Sequence, residues 1–465
     1  MNSMLRTYDL LIVLATLAGM TFAALHAIQS RKGTDASAYF LARREVGWLP
    51  LAVSLFVTTM WGFWSLALAK PAGPGIAGWL FPGAIAVVAL VALGIGFVST
   101  YKASGVATLP SFLGERYGKQ VGSAVAMASI LLTLFVHIPF TILMGTLLVN
   151  ALMGWDLMTA GLLMVVVPGL FVVAGGYPAV IAAQGAGGIA AGVGLLVLAV
   201  NGFPGGDSLL HRVLHEADVA WTPLISAMAI LGLWSLCMEQ HVVQRVFAAR
   251  SSTQARFGSL VAAALVLMGI VAVTIGCEYA ASPGLRSGNS GIATGFVVAA
   301  VLAFAMATLS GHFMSVATLV TMDIVRPMQK ESGEAALVLI GRLTSTVVVI
   351  LAIVTASSIV LIRPALLDWL VPALVTITPP IVAIMLLGLI WPRMHGRGAL
   401  WALIAGWVAG LVQANIASEA GAQTVQSAVV TFVISAIVFV VVSLTVAPLG
   451  TLEKVPRTIL QMRKP

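Results

Sequence analysis

The chain has 465 residues, of which 60% are hydrophobic and only 9% charged. A soluble domain carries about 25% charged residues, so too few are present to build a water-facing surface. The net charge of +8 does not mark a nucleic-acid binder, because the basic residues are scattered through short loops and form no patch or arm.

Apolar stretches long enough to cross a hydrocarbon core of about 30 Å recur along the whole length. The sequence therefore reads as an all-α polytopic membrane protein with about 13 transmembrane helices. In chain order they fall at roughly 8–28, 48–69, 76–98, 123–150, 157–175, 178–201, 222–240, 258–281, 294–322, 336–362, 368–391, 398–418 and 426–448. The first is expected to stay in the mature protein: its apolar run is too long for a signal peptide, and the basic cluster follows it.

Lys and Arg set the orientation. With the N-terminus outside, eighteen fall on the cytoplasmic side, including Arg43, Arg44, Lys102, Arg116, Arg245, Arg250 and Arg326, against five outside. That bias predicts an external N-terminus and a cytoplasmic C-terminus in the inner membrane. Trp48, Trp79, Trp155, Trp221, Trp369, Trp391 and Trp401 lie near span ends, where interfacial aromatics belong. The external loop at 202–221 reads as a solvated connector. Cys237 and Cys277 both lie in apolar stretches and build no disulfide or zinc framework. The sequence ends about 17 residues after the last span, which leaves no room for a signalling module and disfavours a membrane sensor. The apolar spans carry no paired carboxylates, no HxxxH cluster and no nucleophile motif, so the expectation is not an enzyme.

Short motifs then occur in order. They are Tyr39-Phe40-Leu41-Ala42-Arg43-Arg44, the run Thr108-Leu109-Pro110-Ser111-Phe112-Leu113-Gly114-Glu115-Arg116-Tyr117-Gly118, and Gly175-Gly176-Tyr177-Pro178. Further on come Gln240-His241-Val242-Val243-Gln244-Arg245, Thr321-Met322-Asp323-Ile324-Val325-Arg326-Pro327 and Gly388-Leu389-Ile390-Trp391-Pro392-Arg393. Together these resemble the sodium:solute symporter family. The resemblance implies a leucine-transporter-type core of two inverted five-helix repeats, at 48–201 and 222–391. The helix at 8–28 and the two C-terminal helices within 398–448 would be peripheral. The first helix of each repeat would be interrupted near the midplane, where substrate and ions bind.

The implied activity is secondary transport of a small organic solute, driven by a monovalent cation and without an organic cofactor. Sodium is the expected ion. By the resemblance it would be bound by backbone carbonyls of Val57 and Met60 and by the Thr308 hydroxyl. Three departures weaken that site: Ala307, Thr59 and Gln184 stand where the family commonly has a hydroxyl, an Asp and an Asp. A proton, titrating at His312 or Glu239, and uncoupled transport stay open as alternatives.

Thr59, Trp61, Trp64, Trp234 and His312 are the candidate substrate contacts, since aromatics and a few polar groups line many solute pockets. Each has a plainer reading as helix packing or a local hydrogen bond. Ionisable residues inside spans are costly and are functional candidates by default: His137, Glu239, Glu278, His312 and Arg342. Glu239 and Arg342 lie near expected inner ends and are expected to reach toward the interface. His137, beside Pro139, reads as a residue that satisfies a kink.

Overall fold

In hydrocarbon no water is present to bond a bare peptide group, so a spanning segment must close its hydrogen bonds internally. The computed structural model describes residues 7–30, 35–69, 77–201, 221–281, 291–329, 333–416 and 421–446, and among them it is helical throughout apart from short connections. The first long helices are α1 (Thr7–Gln29), α2 (Trp48–Ala69), which follows a short helical segment at Ala36–Leu41, and α3, which runs from Ala77–Ala92 through a π-helical turn at Leu93–Phe97 into Val98–Ser104. Short α4 (Leu109–Tyr117) precedes α5, formed by Lys119–Leu132, a π-turn at Thr133–His137 and Ile138–Met153. Next are α6 (Leu157–Gly175), α7 (Tyr177–Asn201) and α8, formed by Trp221–Leu233 and a π-turn at Trp234–Met238. Then follow short α9 (Gln240–Ala248), α10 (Ser252–Ala281) and α11, in which Gly291–Leu319 continues through a π-turn at Val320–Val325 to Arg326–Met328. The chain closes with α12 (Glu334–Ser357), α13 (Ile359–Ile390), α14 (Gly396–Ile416) and α15 (Gly421–Thr445).

Each of the thirteen expected spans has its helix. Eleven of the helices are long and apolar enough to cross a membrane over their described residues, and α2 and α8 contribute shorter apolar stretches at Trp48–Gly62 and Met228–Met238. Where the boundaries moved, the cause is local. α3 and α11 run past their expected ends because π-turns carry the helix on, and α12 stops at Ser358, so that α13 begins earlier than the hydropathy suggested. Large apolar side chains such as Phe22, Ile189, Met268 and Leu361 stand exposed on the outside of the bundle. Water would not tolerate so continuous an apolar surface, and lipid does.

α11 lies at the centre: 89% of its apolar stretch is enclosed by the protein, against 17% for α1 and 22% for α15. Around it the motifs that looked independent in sequence meet. Asp323, in the π-turn of α11, accepts from the hydroxyls of Thr108 (2.8 Å) and Ser111 (2.6 Å) at the start of α4. Tyr117 donates to the Ile384 carbonyl (2.9 Å) and Arg116 to that of Gly388, which ties α4 to the end of α13. Val46 pairs with the chain after α9 through Val46 N–H to Ala248 O (3.1 Å) and Arg250 N–H to Val46 O (2.9 Å). Gly176, between α6 and α7, has φ +64°, and a Cβ there would stand 2.6 Å from Tyr39. Only glycine suits both demands, which explains the second Gly of that motif.

Candidate functional site

The expected ion site lies where α2 faces α11. Phe56 and Phe304 meet edge to face with centroids 6.0 Å apart. Val57, Met60 and Thr308 are all buried there. Neighbouring helices come close because they present glycine: a Cβ on Gly188 of α7 would lie 3.2 Å from the Val57 side chain, and one on Gly269 of α10 would lie 2.9 Å from the Met60 sulfur. Thr308 Oγ1 donates to Phe304 O at 2.9 Å, one turn back. That bond uses the hydroxyl proton and leaves the oxygen lone pairs free.

One expectation fails here. α2 runs as unbroken helix from Trp48 to Ala69, so the Val57 and Met60 carbonyls are not released by an interruption. Thr58 bonds back to Ser54 O (3.0 Å) and Leu55 O (3.2 Å), as its plainer reading supposed. Pro50 sits in the first turn of α2, where it is tolerated, and no further Pro or Gly occurs before Gly62 to force this stretch open.

Gln184, which replaces an acidic residue of the family pattern, is the hub of a buried network beside this contact. Its amide donates to Ala307 O (2.7 Å) and to Ser310 Oγ (3.3 Å). Its carbonyl accepts from the Ser54 hydroxyl and from Arg245 Nη2 (3.3 Å). Arg245 also donates from Nε to Ser54 Oγ (2.5 Å) and from Nη1 to the His241 carbonyl. Placing Arg245 in a cytoplasmic loop was therefore wrong: its side chain is fully buried. The cause is that α9 folds back into the bundle and carries Arg245 with it, while the bias of the remaining basic residues is untouched. Ser310 belongs to this network, its hydroxyl donating to Ala307 O at 2.9 Å.

The first helix of the second half does break. After the π-turn of α8, Glu239 takes an extended conformation (φ −65°, ψ 133°), and α9 starts anew at Gln240. The Cys237 carbonyl at the break accepts from the Tyr101 hydroxyl (2.7 Å), and the Gln240 side chain just beyond it accepts from Leu109 N–H at the start of α4 (3.0 Å). Glu239 does not reach for the interface. It is buried, and its Oε1 lies 2.8 Å from His137 Nδ1, 3.0 Å from His241 Nδ1 and 3.6 Å from His312 Nδ1. His312 stacks obliquely on His241 (centroids 4.5 Å apart) and lies 5.3 Å from the His137 ring. His137 ends a π-turn just before Pro139, so the kink and the cluster coincide. Arg342 stays on the surface of α12 with its guanidinium over Tyr39, 5.9 Å from the ring centre. The side chains of Glu278 and Trp64 lie outside the described residues, as does the 202–220 connector.

The other substrate candidates share a property that the sequence did not show. Thr59 Oγ1, Trp61 Nε1, Trp234 Nε1 and His312 Nδ1 are buried polar atoms without a hydrogen-bond partner among the described residues. Buried polar groups are nearly always bonded, so such atoms call for an explanation, and a bound solute would supply one. Two residues of these buried clusters escaped sequence reasoning. His241 and Arg245 both sat inside a family motif assigned to a loop. Their signal was the strong amphipathic pattern of Gln240–Ala248 beside buried ionisable residues that lacked partners.

Residues 39–283 and 288–406 match the family model described as Sodium:solute symporter family. The chain is 28% identical over 440 residues to a sodium/mannose cotransporter of Bos taurus, covering 80% of this chain and 73% of that protein. It is 27% identical over 478 residues to sodium/glucose cotransporter 4 of Mus musculus, covering 88% and 69%. Its fold is similar to that of a solved Na+-coupled sialic acid symporter in a substrate-bound outward-open state, with a TM-score of 0.78, 17% identity, and coverage of 96% of this chain and 100% of that one.

Proposed function

The chain belongs to the sodium:solute symporter family, and from that premise we propose that it carries a small, hydroxyl-rich organic solute together with Na+ by alternating access. The observation that carries this reading is the family match through both halves of the core. Burial of Val57, Met60 and Thr308 at the α2–α11 contact supports the ion half. For the solute, the unpartnered Trp61 and Trp234 indole N–H groups and the Thr59 hydroxyl suit a ligand rich in oxygen acceptors. Similar proteins are named for mannose, glucose and myo-inositol, all of that chemistry. The repeats are α2–α7 (48–201) and α8–α13 (222–391), flanked by α1, α14 and α15. Uptake of a panel of sugars, inositols and other small solutes into reconstituted vesicles, under separately imposed Na+ and H+ gradients, tests this. Sodium is expected to drive accumulation of at least one solute, and uptake indifferent to Na+ at fixed pH and voltage would refute the coupling.

A specific feature favours proton coupling as the second reading: Glu239 faces three imidazoles at the break after α8. On that reading the H+ gradient alone drives uptake, and His312→Gln flattens its pH dependence.

We also place the N-terminus outside and the C-terminus in the cytoplasm of the inner membrane. With Cys237 and Cys277 replaced, single cysteines in 202–220 are expected to react with an impermeant thiol reagent from outside, and ones in 329–333 to stay protected. The reverse pattern would invert the topology.

A further inference from the structure

The cluster at the break holds more nitrogen than an oxygen-seeking ion such as Na+ can use. Its members come from three separate elements: His137 from the π-turn of α5, Glu239 from the extended residue between α8 and α9, and His312 from the middle of α11. One ligand atom from each of these three lies within 4.8 Å of the other two. Nδ1 of His137, His241 and His312 all face one buried oxygen, Oε1 of Glu239, at 2.8, 3.0 and 3.6 Å. Three ring nitrogens gathered on one carboxylate oxygen are placed as ligand atoms around a common centre are. Zinc bound by imidazole and carboxylate keeps its ligand atoms at about 2.0–2.2 Å, so that neighbouring ligand atoms in a tetrahedron stand roughly 3.3 Å apart. The three separations from Glu239 Oε1 bracket that value, and the His137, Glu239 and His312 ligand atoms all lie within 4.8 Å of one another.

The donor set selects the class of ion. Imidazole nitrogen with one carboxylate oxygen suits borderline divalent transition metals, whereas Mg2+ and Ca2+ take oxygen ligands. The imidazoles must be neutral to coordinate, and the Glu239 carboxylate supplies the negative charge that a divalent cation meets, with the buried Arg245 guanidinium close by on the His241 carbonyl. We propose that His137, Glu239 and His312 form a binding site for a divalent transition-metal ion such as Zn2+, with His241 against the same carboxylate oxygen as a further ligand. This site is distinct from Val57, Met60 and Thr308 at the α2–α11 contact; it uses the same cluster as the proton reading, and a bound metal ion would compete with protons there.

The test uses the full-length protein, purified in detergent without a histidine tag. Titration with Co2+ is expected to give one saturable site per chain with the visible absorption of a low-coordinate nitrogen and oxygen complex, and stoichiometric Zn2+ is expected to abolish that spectrum. His312→Gln and His137→Ala are each expected to weaken Co2+ binding by at least about tenfold. The second is the safer variant, because the His137 side chain is partly exposed at 14%. Melting without metal establishes that each variant is folded. Absence of saturable binding to the wild-type protein would overturn the proposal, and so would binding of unchanged strength in folded His137→Ala.

Discussion

Replacing Arg245 by Ala is expected to lower the melting temperature of the purified protein more than any other single substitution considered above. The guanidinium is fully buried, and its recorded acceptors are all neutral: Ser54 Oγ, Gln184 Oε1 and the His241 carbonyl. Two terms oppose one another. Removing a buried charge recovers its desolvation cost, which favours the variant. Against that, three buried acceptors lose a charged donor, each such bond being worth about 1.5–3 kcal/mol, and a cavity opens where a long side chain had packed. The second set is larger, and the net loss should be about 3–5 kcal/mol. Arg245→Met separates the contributions. It refills most of the volume while still stripping the acceptors, so its melting temperature should fall between those of Ala and wild type. Arg245→Lys keeps the charge but loses the planar fork that reaches Ser54 and Gln184 together, and should also fall between. An alanine variant that melts with the wild type would mean that the network carries no stability.

The second large effect concerns sodium. Thr308→Ala should raise the Na+ concentration needed for half-maximal uptake, and Ala307→Ser should lower it. The Thr308 proton is committed to Phe304 O at 2.9 Å, so its oxygen can act only as an acceptor toward a third group, as a hard-cation ligand must. A serine at 307 restores a hydroxyl that the family pattern commonly has there. If it adds one ligand worth about 1.4 kcal/mol, apparent affinity rises about tenfold. The counterweight is that α2 is continuous through Val57 and Met60, so their carbonyls remain engaged in the helix and offer the ion only their second lone pairs. That geometry predicts a weak starting affinity, which leaves room for the gain. Equal half-saturation in all three proteins would place the ion elsewhere.

Hydropathy alone located the helices, because the bilayer imposes one strong rule on length and polarity. It could not see the π-turns, which change hydrogen-bond register without changing composition. Nor could it show that α9 turns inward with Arg245. The candidate site was legible only in part. Val57, Met60 and Thr308 followed from the resemblance. The plainer readings, Thr58 and Thr308 bonding back one turn, describe real bonds. What stayed hidden were contacts between distant positions. His137 read as satisfying a kink, Glu239 as reaching the interface or titrating, and His312 as a substrate contact or proton carrier, and none of these readings brought the three together. The corrective principle was available: charge is tolerated in a membrane interior when it finds a partner there, so several unexplained ionisable residues in different spans should be sought against one another first.

The bonds from Asp323 to Thr108 and Ser111, from Tyr117 to Ile384, from Arg116 to Gly388 and from Gln240 to Leu109 all converge on α4 and its approach. The segments that make the family recognisable are therefore largely the laces at one end of the bundle, and the unpartnered groups at Thr59, Trp61 and Trp234 lie outside them. On the proposed reading, ancestry and cargo are written in different parts of this chain. A lineage built this way can retune what it carries by exchanging a few interior side chains while its closure stays intact, and two members with the same laces need share no diet.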